Sequence, residues 1–314
     1  MTNMLRRHLM ALAGAAAAPA WAQAMPRIGF LQAGDREPSW SLFRKALAAV
    51  GYVEGRTVAI EYRGADAAGG TLDAQAAELV QLKVDLIVAN LSPAIAAARR
   101  ATASIPIVFN GGTPEIGVTG SVARPEGNTT GVYSPSTTVA GKCLQLFHEL
   151  RPETKPFGVL LNQADPFHVP LQREVEAVAQ AEKVELVELL VKTSAGLAPA
   201  FDTLVSRGVA GVLVQPTLGL EQAAELALKR RLPAISFRRE FPDKGGLMSY
   251  GADGADIYRM VAAQVAKILK GTAPKDIPVE QASRFELVVN QKTARALGFT
   301  FPPMFLARVD EVIE

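Results

Sequence analysis

The chain alternates short apolar runs with segments of helical spacing, and this alternation occurs twice. In the first series, the apolar runs Val84–Ala89 and Ile105–Phe109 follow helical patterns such as Thr71–Leu82. The second series begins near Pro156 and ends near Phe237. Continuous apolar runs separated by helices are typical of parallel strands covered on both faces. Because strand–helix–strand crossovers are right-handed, the pattern predicts an α/β fold with two doubly wound parallel-sheet lobes.

Segments rich in Gly and Pro are expected to carry the chain between the lobes. Thr113–Pro135 is predicted to be one crossing and Leu247–Gly251 a second. Phe285–Asn290 is predicted to be a strand, and a third crossing is expected near it. The helix predicted over Ile257–Leu269 would then belong to the first lobe again. The expected division is residues 25–131 plus about 250–284 for lobe 1, and residues 132–249 plus about 285–314 for lobe 2.

The N-terminus has the three parts of a secretory signal. Arg6-Arg7 is followed by the apolar run Leu9–Ala18, which is too short to span a bilayer, and by the small-residue site Ala22-Gln23-Ala24. We expect residues 1–24 to be a signal peptide that is cleaved after Ala24, so that the protein resides in the periplasm. Both a Sec signal and a twin-arginine signal fit this stretch, and a buried N-terminal helix is a third reading.

Composition limits the classes of partner. Hydrophobic residues make up 49% and charged residues 20% of the chain, as expected for a folded protein with sizeable cores. Loss of the two signal-peptide arginines would change the formal net charge from +2 to zero, so a nucleic-acid partner is not expected. Cys143 is the only cysteine, which excludes an internal disulfide, and its helical pattern predicts a core residue.

The loops that follow the predicted strands are the expected binding site, because open parallel sheets bind ligands at the carboxyl ends of their strands. These loops are rich in Gln, Asn, Ser, Thr and Gly, which form hydrogen bonds to a solute without supplying acid–base chemistry. The candidate ligand-binding residues are, in lobe 1, Gln32, Asn90, Ser92, Asn110, Gly112 and Thr113, and, in lobe 2, Asn162, Gln215, Thr217, Arg238 and Tyr250.

Some of these candidates also have a purely structural interpretation. Ser92 is predicted to be the N-cap of a helix whose first amides would suit a ligand carboxylate, although capping alone explains a Ser-Pro pair. Either Arg238 or Arg239 could hold a carboxylate through a bidentate fork, with the other solvated or paired to an acid. Trp40 and Tyr250 could stack on a ring, and Trp40 could equally be a core residue.

Patterns typical of catalysis, such as H-E-x-x-H, G-x-S-x-G and C-x-x-C, do not occur in the sequence. His148 and His168 have no evident metal partner. The sequence therefore predicts no catalytic residue, no metal and no cofactor. An enzyme on the same scaffold, such as a racemase or hydrolase, would need a base or nucleophile pair facing the cleft.

Several segments match one family in combination. They are Gly51–Arg56, Ile60–Arg63, Ala77–Val80, Ile105–Phe109, Arg124–Gly131, Leu232–Ile235, Arg239–Phe241, Gly245–Gly251, Phe285–Asn290 and Ala307–Glu314. Together they resemble ABC transporter substrate-binding proteins of the type I periplasmic class, in the group that includes tryptophan-type amino-acid binders. The resemblance covers residues 26–314.

This resemblance implies a Venus-flytrap fold that closes on a small solute, such as an amino acid or a related carboxylate. It also implies delivery of the solute to an ABC permease in the inner membrane. Ligand positions of the family fall at Gln32, Ser92, Asn110 to Thr113 and Arg238. We expect the protein to act as a monomer. A periplasmic sensor domain would share these features, and the sequence does not separate it from a transport receptor.

Overall fold

The computed structural model describes residues 25–64, 71–111, 119–152 and 155–314. The signal peptide predicted for residues 1–24 and the candidate site residues Gly112 and Thr113 lie outside the described residues.

The first sheet consists of six strands, all parallel, in the order β13–β7–β4–β3–β1–β2. Its strands are β1 (Arg27–Gln32), β2 (Ala59–Gly64), β3 (Leu86–Asn90), β4 (Ile107–Gly111), β7 (Thr129–Tyr133) and β13 (Glu280–Gln281). A small antiparallel ribbon of β5 (Thr119–Gly120) and β6 (Pro125–Glu126) lies between β4 and β7 in the chain.

The second sheet has seven strands in the order β15–β14–β12–β11–β10–β8–β9. They are β8 (Phe157–Asn162), β9 (Leu186–Val191), β10 (Val212–Val214), β11 (Ala234–Ser236), β12 (Met248–Ala252), β14 (Phe285–Asn290) and β15 (Glu311–Ile313). Strand β14 runs antiparallel to β12, and the other neighbouring pairs are parallel. The two doubly wound sheets predicted from the alternating pattern are therefore confirmed.

Helices cover both sheets. The described α-helices are α1 (Ser39–Ala49), α2 (Leu72–Gln81), α3 (Ser92–Ala101), α4 (Ser136–Leu150), α5 (His168–Glu182), α6 (Leu197–Ser206), α7 (Leu220–Lys229), α8 (Glu240–Asp243), α9 (Gly254–Leu269), α10 (Gln291–Leu297) and α11 (Pro303–Leu306). Side-chain hydrogen bonds to backbone amides cap the first turns of several of these helices. The Thr71 hydroxyl accepts from the amide of Ala74 at α2, and Asp253 caps α9 by accepting from two amides.

The chain passes between the two sheets three times. It leaves sheet one after β7, leaves sheet two after β12 to form α9, and returns to sheet two between β13 and β14. The segment Thr113–Pro135, predicted to be a crossing, contains strand β7. This strand, Thr129–Tyr133, was not predicted because its Thr and Gly residues do not form an apolar run. All of its residues except Tyr133 are nevertheless buried.

Each sheet has an apolar layer on both faces. In β3, Leu86 and Val88 pack into the layer formed with α1 and α9, while Ile87 and Ala89 pack into the layer formed with α2 and α3. Strand side chains alternate between faces, so a strand covered on both faces must be apolar throughout. Cys143 is fully buried in the core beside sheet two, as predicted, and burial raises the pKa of its thiol to about 12.

Candidate functional site

A cavity lies between the two sheets, where the carboxyl ends of their strands face each other. The cavity itself measures about 40 Å³, and the space around it about 530 Å³ when adjoining open solvent is included. Its lining residues are Leu91, Ser92, Asn110, Gly111, Ser134, Ser136, Asp165, Phe167, Gln215, Pro216, Thr217, Phe237, Arg238, Ala252 and Ile257.

Two long helices begin at this cavity, one from each side. Ser92 is the first residue of α3 and Ser136 the first of α4, and both line the cavity. The prediction that Ser92 is the N-cap was wrong. Leu91 occupies the cap position with a φ of 69°, and α3 has no side-chain capping bond. The two helix starts present positive dipole ends, which favour a bound anion.

A chain of buried amides supports the cavity wall from sheet one. Asn110 Nδ2 donates to Asn90 Oδ1 (2.7 Å), and Asn90 Nδ2 donates to Gln32 Oε1 (2.6 Å). Gln32 Nε2 donates to the carbonyl of Ala33, which can only accept. The orientations of these three side-chain amides are therefore fixed, and Asn110 is the one that lines the cavity.

Sheet two contributes a buried carboxylate, Asp165. Its Oδ2 accepts from Gln215 Nε2 and from Thr217 Oγ1, both at 2.8 Å, and its Oδ1 accepts from the Phe167 amide at 2.9 Å. Burial raises the pKa of Asp165, and the three hydrogen bonds oppose that rise. Asp165 forms no ion pair with a Lys or Arg of the described residues.

A second layer fixes these partners in place. The backbone amide of Asn162 donates to Gln215 Oε1 (2.8 Å), which leaves Gln215 Nε2 to face Asp165. Asn162 Nδ2 donates to the backbone carbonyl and the hydroxyl of Thr217. The orientations of Gln215 and Thr217 are thus set before any ligand arrives.

Arg238 lies in the cavity wall as an ion pair with Glu240. Its Nη2 donates to Glu240 Oε1 (2.6 Å), its Nε donates to Glu240 Oε2 (3.2 Å), and Nη2 also reaches Ser39 Oγ across the cleft (3.5 Å). Burial disfavours both charges, yet each partner outweighs that effect, so the pKa of Arg238 is raised and that of Glu240 is lowered. Arg239 is paired as well, with Asp243 and Glu311.

The rest of the wall is apolar and partly aromatic. Phe167 and Phe237 meet edge to face, with ring centroids 6.2 Å apart. Leu91, Pro216, Ala252 and Ile257 are further apolar lining residues. Apolar lining residues together with a few fixed polar groups suit a ligand with one polar end and one apolar end.

The structure brings together most of the predicted site. Ser92, Asn110, Gln215, Thr217 and Arg238 line the cavity, while Gln32, Asn90 and Asn162 form the hydrogen-bonded layer behind it. Tyr250 lies elsewhere: its ring stacks on Phe285, with centroids 6.1 Å apart, and its carbonyl accepts from the Cys143 thiol. Trp40 is buried in the core of sheet one, where its ring meets Tyr62 edge to face.

Sequence reasoning missed several lining residues. Asp165 stands at the end of a loop that was predicted to face the cleft, and as the only acid there it could have been singled out. Phe167 and Phe237 lie at the ends of predicted elements, where the sequence pattern does not distinguish an aromatic lining residue from an aromatic core residue. Ser134 and Ser136 lie within or next to a predicted crossing, which gave no chemical signal.

Among the described helices, none combines the length and hydropathy needed to cross a lipid bilayer.

Comparison with known proteins places this architecture in one family. The profile described as ABC transporter substrate binding protein matches residues 35–313. A tyrosine-binding protein from Clostridioides difficile is 29% identical over 262 residues, which cover 81% of this chain and 75% of that protein.

Solved structures share the fold. A conserved domain protein from Vibrio cholerae has a TM-score of 0.83 at 25% identity, covering 92% of this chain and 99% of that chain. A structure from Streptococcus pneumoniae in complex with L-Trp has a TM-score of 0.80 at 24% identity, with the same coverage. The resemblance found in the sequence is confirmed: the chain belongs to the ABC transporter substrate-binding protein family.

Proposed function

We propose that the cavity binds an α-amino acid with an aromatic side chain, and that the protein delivers it to an ABC permease without changing it chemically. The observation that carries this proposal is the composition of one cavity: a buried carboxylate that pairs with no Lys or Arg of the described residues, two helix N-termini, and apolar lining residues that include two aromatic rings. These three features correspond to the ammonium group, the carboxylate and the side chain of such a ligand.

Asp165 suits the ammonium group. Its three hydrogen bonds leave acceptor capacity on a carboxylate that offers about four lone-pair sites. An ammonium group would bring a positive charge that no Lys or Arg of the described residues places against Asp165. Asn110, whose amide direction is set by Asn90, lines the cavity on the opposite sheet.

The ligand carboxylate would lie at the helix starts. Ser92 and Ser136 supply hydroxyl groups, and each stands where a helix has amides without intrahelical partners. Arg238 contributes little free charge, because Glu240 holds it in a two-bond ion pair.

The apolar wall would take the side chain. Phe167 and Phe237 offer an edge-to-face pair that a third ring can join, and such ring pairs contribute about 0.5–1.5 kcal/mol beyond the burial of their area. The tyrosine-binding relative from Clostridioides difficile supports an aromatic amino acid.

The cellular setting belongs to the same proposal. Residues 1–24 would be removed on export to the periplasm, and the monomeric protein would present its loaded cleft to the permease. Residues 25–131 with about 250–284 would form one lobe, and residues 132–249 with about 285–314 the other, so that binding closes the cleft between them.

Calorimetry and native mass spectrometry test the proposal. Protein that has been unfolded and refolded to remove co-purified solute is titrated with L-tyrosine, L-tryptophan, L-phenylalanine, L-leucine and D-glucose. We expect tight one-to-one binding of at least one aromatic amino acid, with the ligand recovered unchanged. Binding of glucose with no response to any amino acid would refute the proposal, and a ligand recovered chemically altered would indicate an enzyme.

A further inference from the structure

Arg238, a lining residue of the cavity, is held in an ion pair with Glu240 that is largely shielded from solvent. Arg238 lines the cavity, and the side chains of Arg238 and Glu240 are only 21% and 10% exposed. Two guanidinium nitrogens, Nε and Nη2, are directed at the Glu240 carboxylate. A cationic residue at a binding cavity is therefore held by an acid two positions away in the chain.

This pairing removes net positive charge from the wall. Opposite charges 2.6 Å apart act on a third charge several ångströms away as a dipole, whose field falls off faster than that of a single charge. The nearby ammonium of Lys244 is itself paired with Asp35 at 2.6 Å. Among the described lining residues, the remaining ionisable side chain is Asp165, which is acidic.

We propose that Glu240 is a specificity-determining residue: by neutralising Arg238 it makes the cavity select amino acids with uncharged side chains and reject those with a second carboxylate. The inference rests on the proposed function, since it concerns which amino acids the same cavity accepts. A ligand with one ammonium and one carboxylate is balanced by Asp165 and the helix starts, whereas a second carboxylate meets no uncompensated cation.

Glu240 acts through Arg238, so it is a positioning residue, and its loss should change selectivity more than overall fold. Glu240→Gln keeps the shape of the side chain and one acceptor for Arg238, but leaves the guanidinium charge uncompensated at the cavity. Every α-amino acid has the same α-carboxylate, so the new charge favours glutamate over tyrosine only through the extra side-chain carboxylate.

The experiment measures the dissociation constants of L-tyrosine and L-glutamate by calorimetry. In Glu240→Gln, the ratio of the glutamate constant to the tyrosine constant should fall at least about tenfold, the low end for close charge pairs. Asp243→Asn is the matched control, because it removes the same charge from the Arg239 pair outside the cavity wall. Its ratio should stay within about twofold of the wild-type ratio.

A double variant keeps the inference testable if Glu240→Gln does not fold. Arg238→Gln with Glu240→Gln replaces the pair by neutral amides, a change that buried pairs often tolerate. If Glu240 neutralises Arg238 in the wild type, the double variant should keep the wild-type ratio within about twofold. A tenfold rise in the ratio would show that Arg238 acts as a free cation in the wild type, and would overturn the inference.

The two proposals fail in different ways. Wild-type protein that binds none of the aromatic amino acids contradicts the proposed function and, with it, the role of Glu240. Wild-type protein that binds L-tyrosine, with a ratio that Glu240→Gln shifts no more than Asp243→Asn does, overturns the role of Glu240 alone.

Discussion

Asp165→Asn is the sharpest single test of how the cavity recognises its ligand. The substitution keeps the shape of the side chain but removes its charge and turns one acceptor into a donor. Oδ2 of Asp165 accepts from both Gln215 and Thr217, and Gln215 cannot turn over because its Oε1 already accepts from the Asn162 amide. In either orientation, an asparagine amide therefore points its NH2 group at an existing donor: at Gln215 and Thr217, or at the Phe167 amide.

Two opposing contributions determine how Asp165→Asn changes the free energy of unfolding. A third determines how it changes the affinity for the ligand. A buried unsatisfied donor costs about 1–3 kcal/mol, while removing a carboxylate whose pKa is raised by burial returns part of that cost. We expect unfolding stability to change by less than about 2 kcal/mol. Loss of the charge-assisted bond to an ammonium costs at least about 2 kcal/mol, which weakens binding at least about 30-fold.

Calorimetry with L-tyrosine measures the binding effect, and urea denaturation measures the stability effect. Asp202→Asn is the control, because Asp202 pairs with Arg230 at 2.7 Å on helix α6, where the Asp202 side chain is 67% exposed. A second ligand, 3-(4-hydroxyphenyl)propionate, lacks the ammonium group and should lose little affinity in Asp165→Asn. Wild-type affinity of Asp165→Asn for L-tyrosine would refute the assignment of Asp165 to the ammonium.

Three further predictions concern the second sheet, the cleft mouth and the first sheet. Burial, with Asp253 nearby, raises the pKa of Glu286 from 4.5 to about 7, so its ionisation destabilises the folded state as pH rises through that window. Glu286→Gln should therefore gain about 1 kcal/mol in urea denaturation at pH 8, after discounting for solvent screening, and nothing at pH 4. Asp35→Asn removes the ion pair to Lys244 across the cleft, and an exposed pair contributes about 0.2–1 kcal/mol, so stopped-flow dissociation of L-tyrosine should become up to about fivefold faster. An unchanged rate at low salt would show that this pair does not stabilise the closed cleft. Gly131→Ala would press a methyl group into the backbone carbonyl and ring of Phe109, and should cost about 3 kcal/mol in thermal or urea unfolding.

Much of the fold could be predicted from the sequence because buried parallel strands must be apolar on both faces. The predicted apolar runs Val84–Ala89 and Ile105–Phe109 correspond to strands β3 and β4, which the structure bounds at Leu86–Asn90 and Ile107–Gly111. Glu280–Gln281 could not be found this way, because a two-residue edge strand has too few side chains to show a period.

The site was harder to predict because contacts across the cleft depend on three-dimensional placement. Loop position alone correctly brought Asn110, Gln215 and Thr217 to one cavity. The start of α3 was misplaced by one residue because Leu91 adopts a positive φ, which a sequence with Ser-Pro next to it does not predict. Whether the Arg238 side chain points to a ligand or to Glu240 depends on its rotamer, which the sequence does not determine.

The return of the chain to sheet one has a consequence for the order of folding. Helix α9 packs against α1 and buries nine residues, so the core on that face of sheet one is incomplete until the segment from Gly254 has been synthesised. Strand β14, which lies between β12 and β15 in sheet two, is made later still. A nascent chain that ends before Gly254 therefore exposes apolar surface on both sheets. Neither sheet can complete its core while the chain is still being synthesised up to that point. Premature termination or proteolysis before Gly254 would consequently damage both halves of the molecule at once.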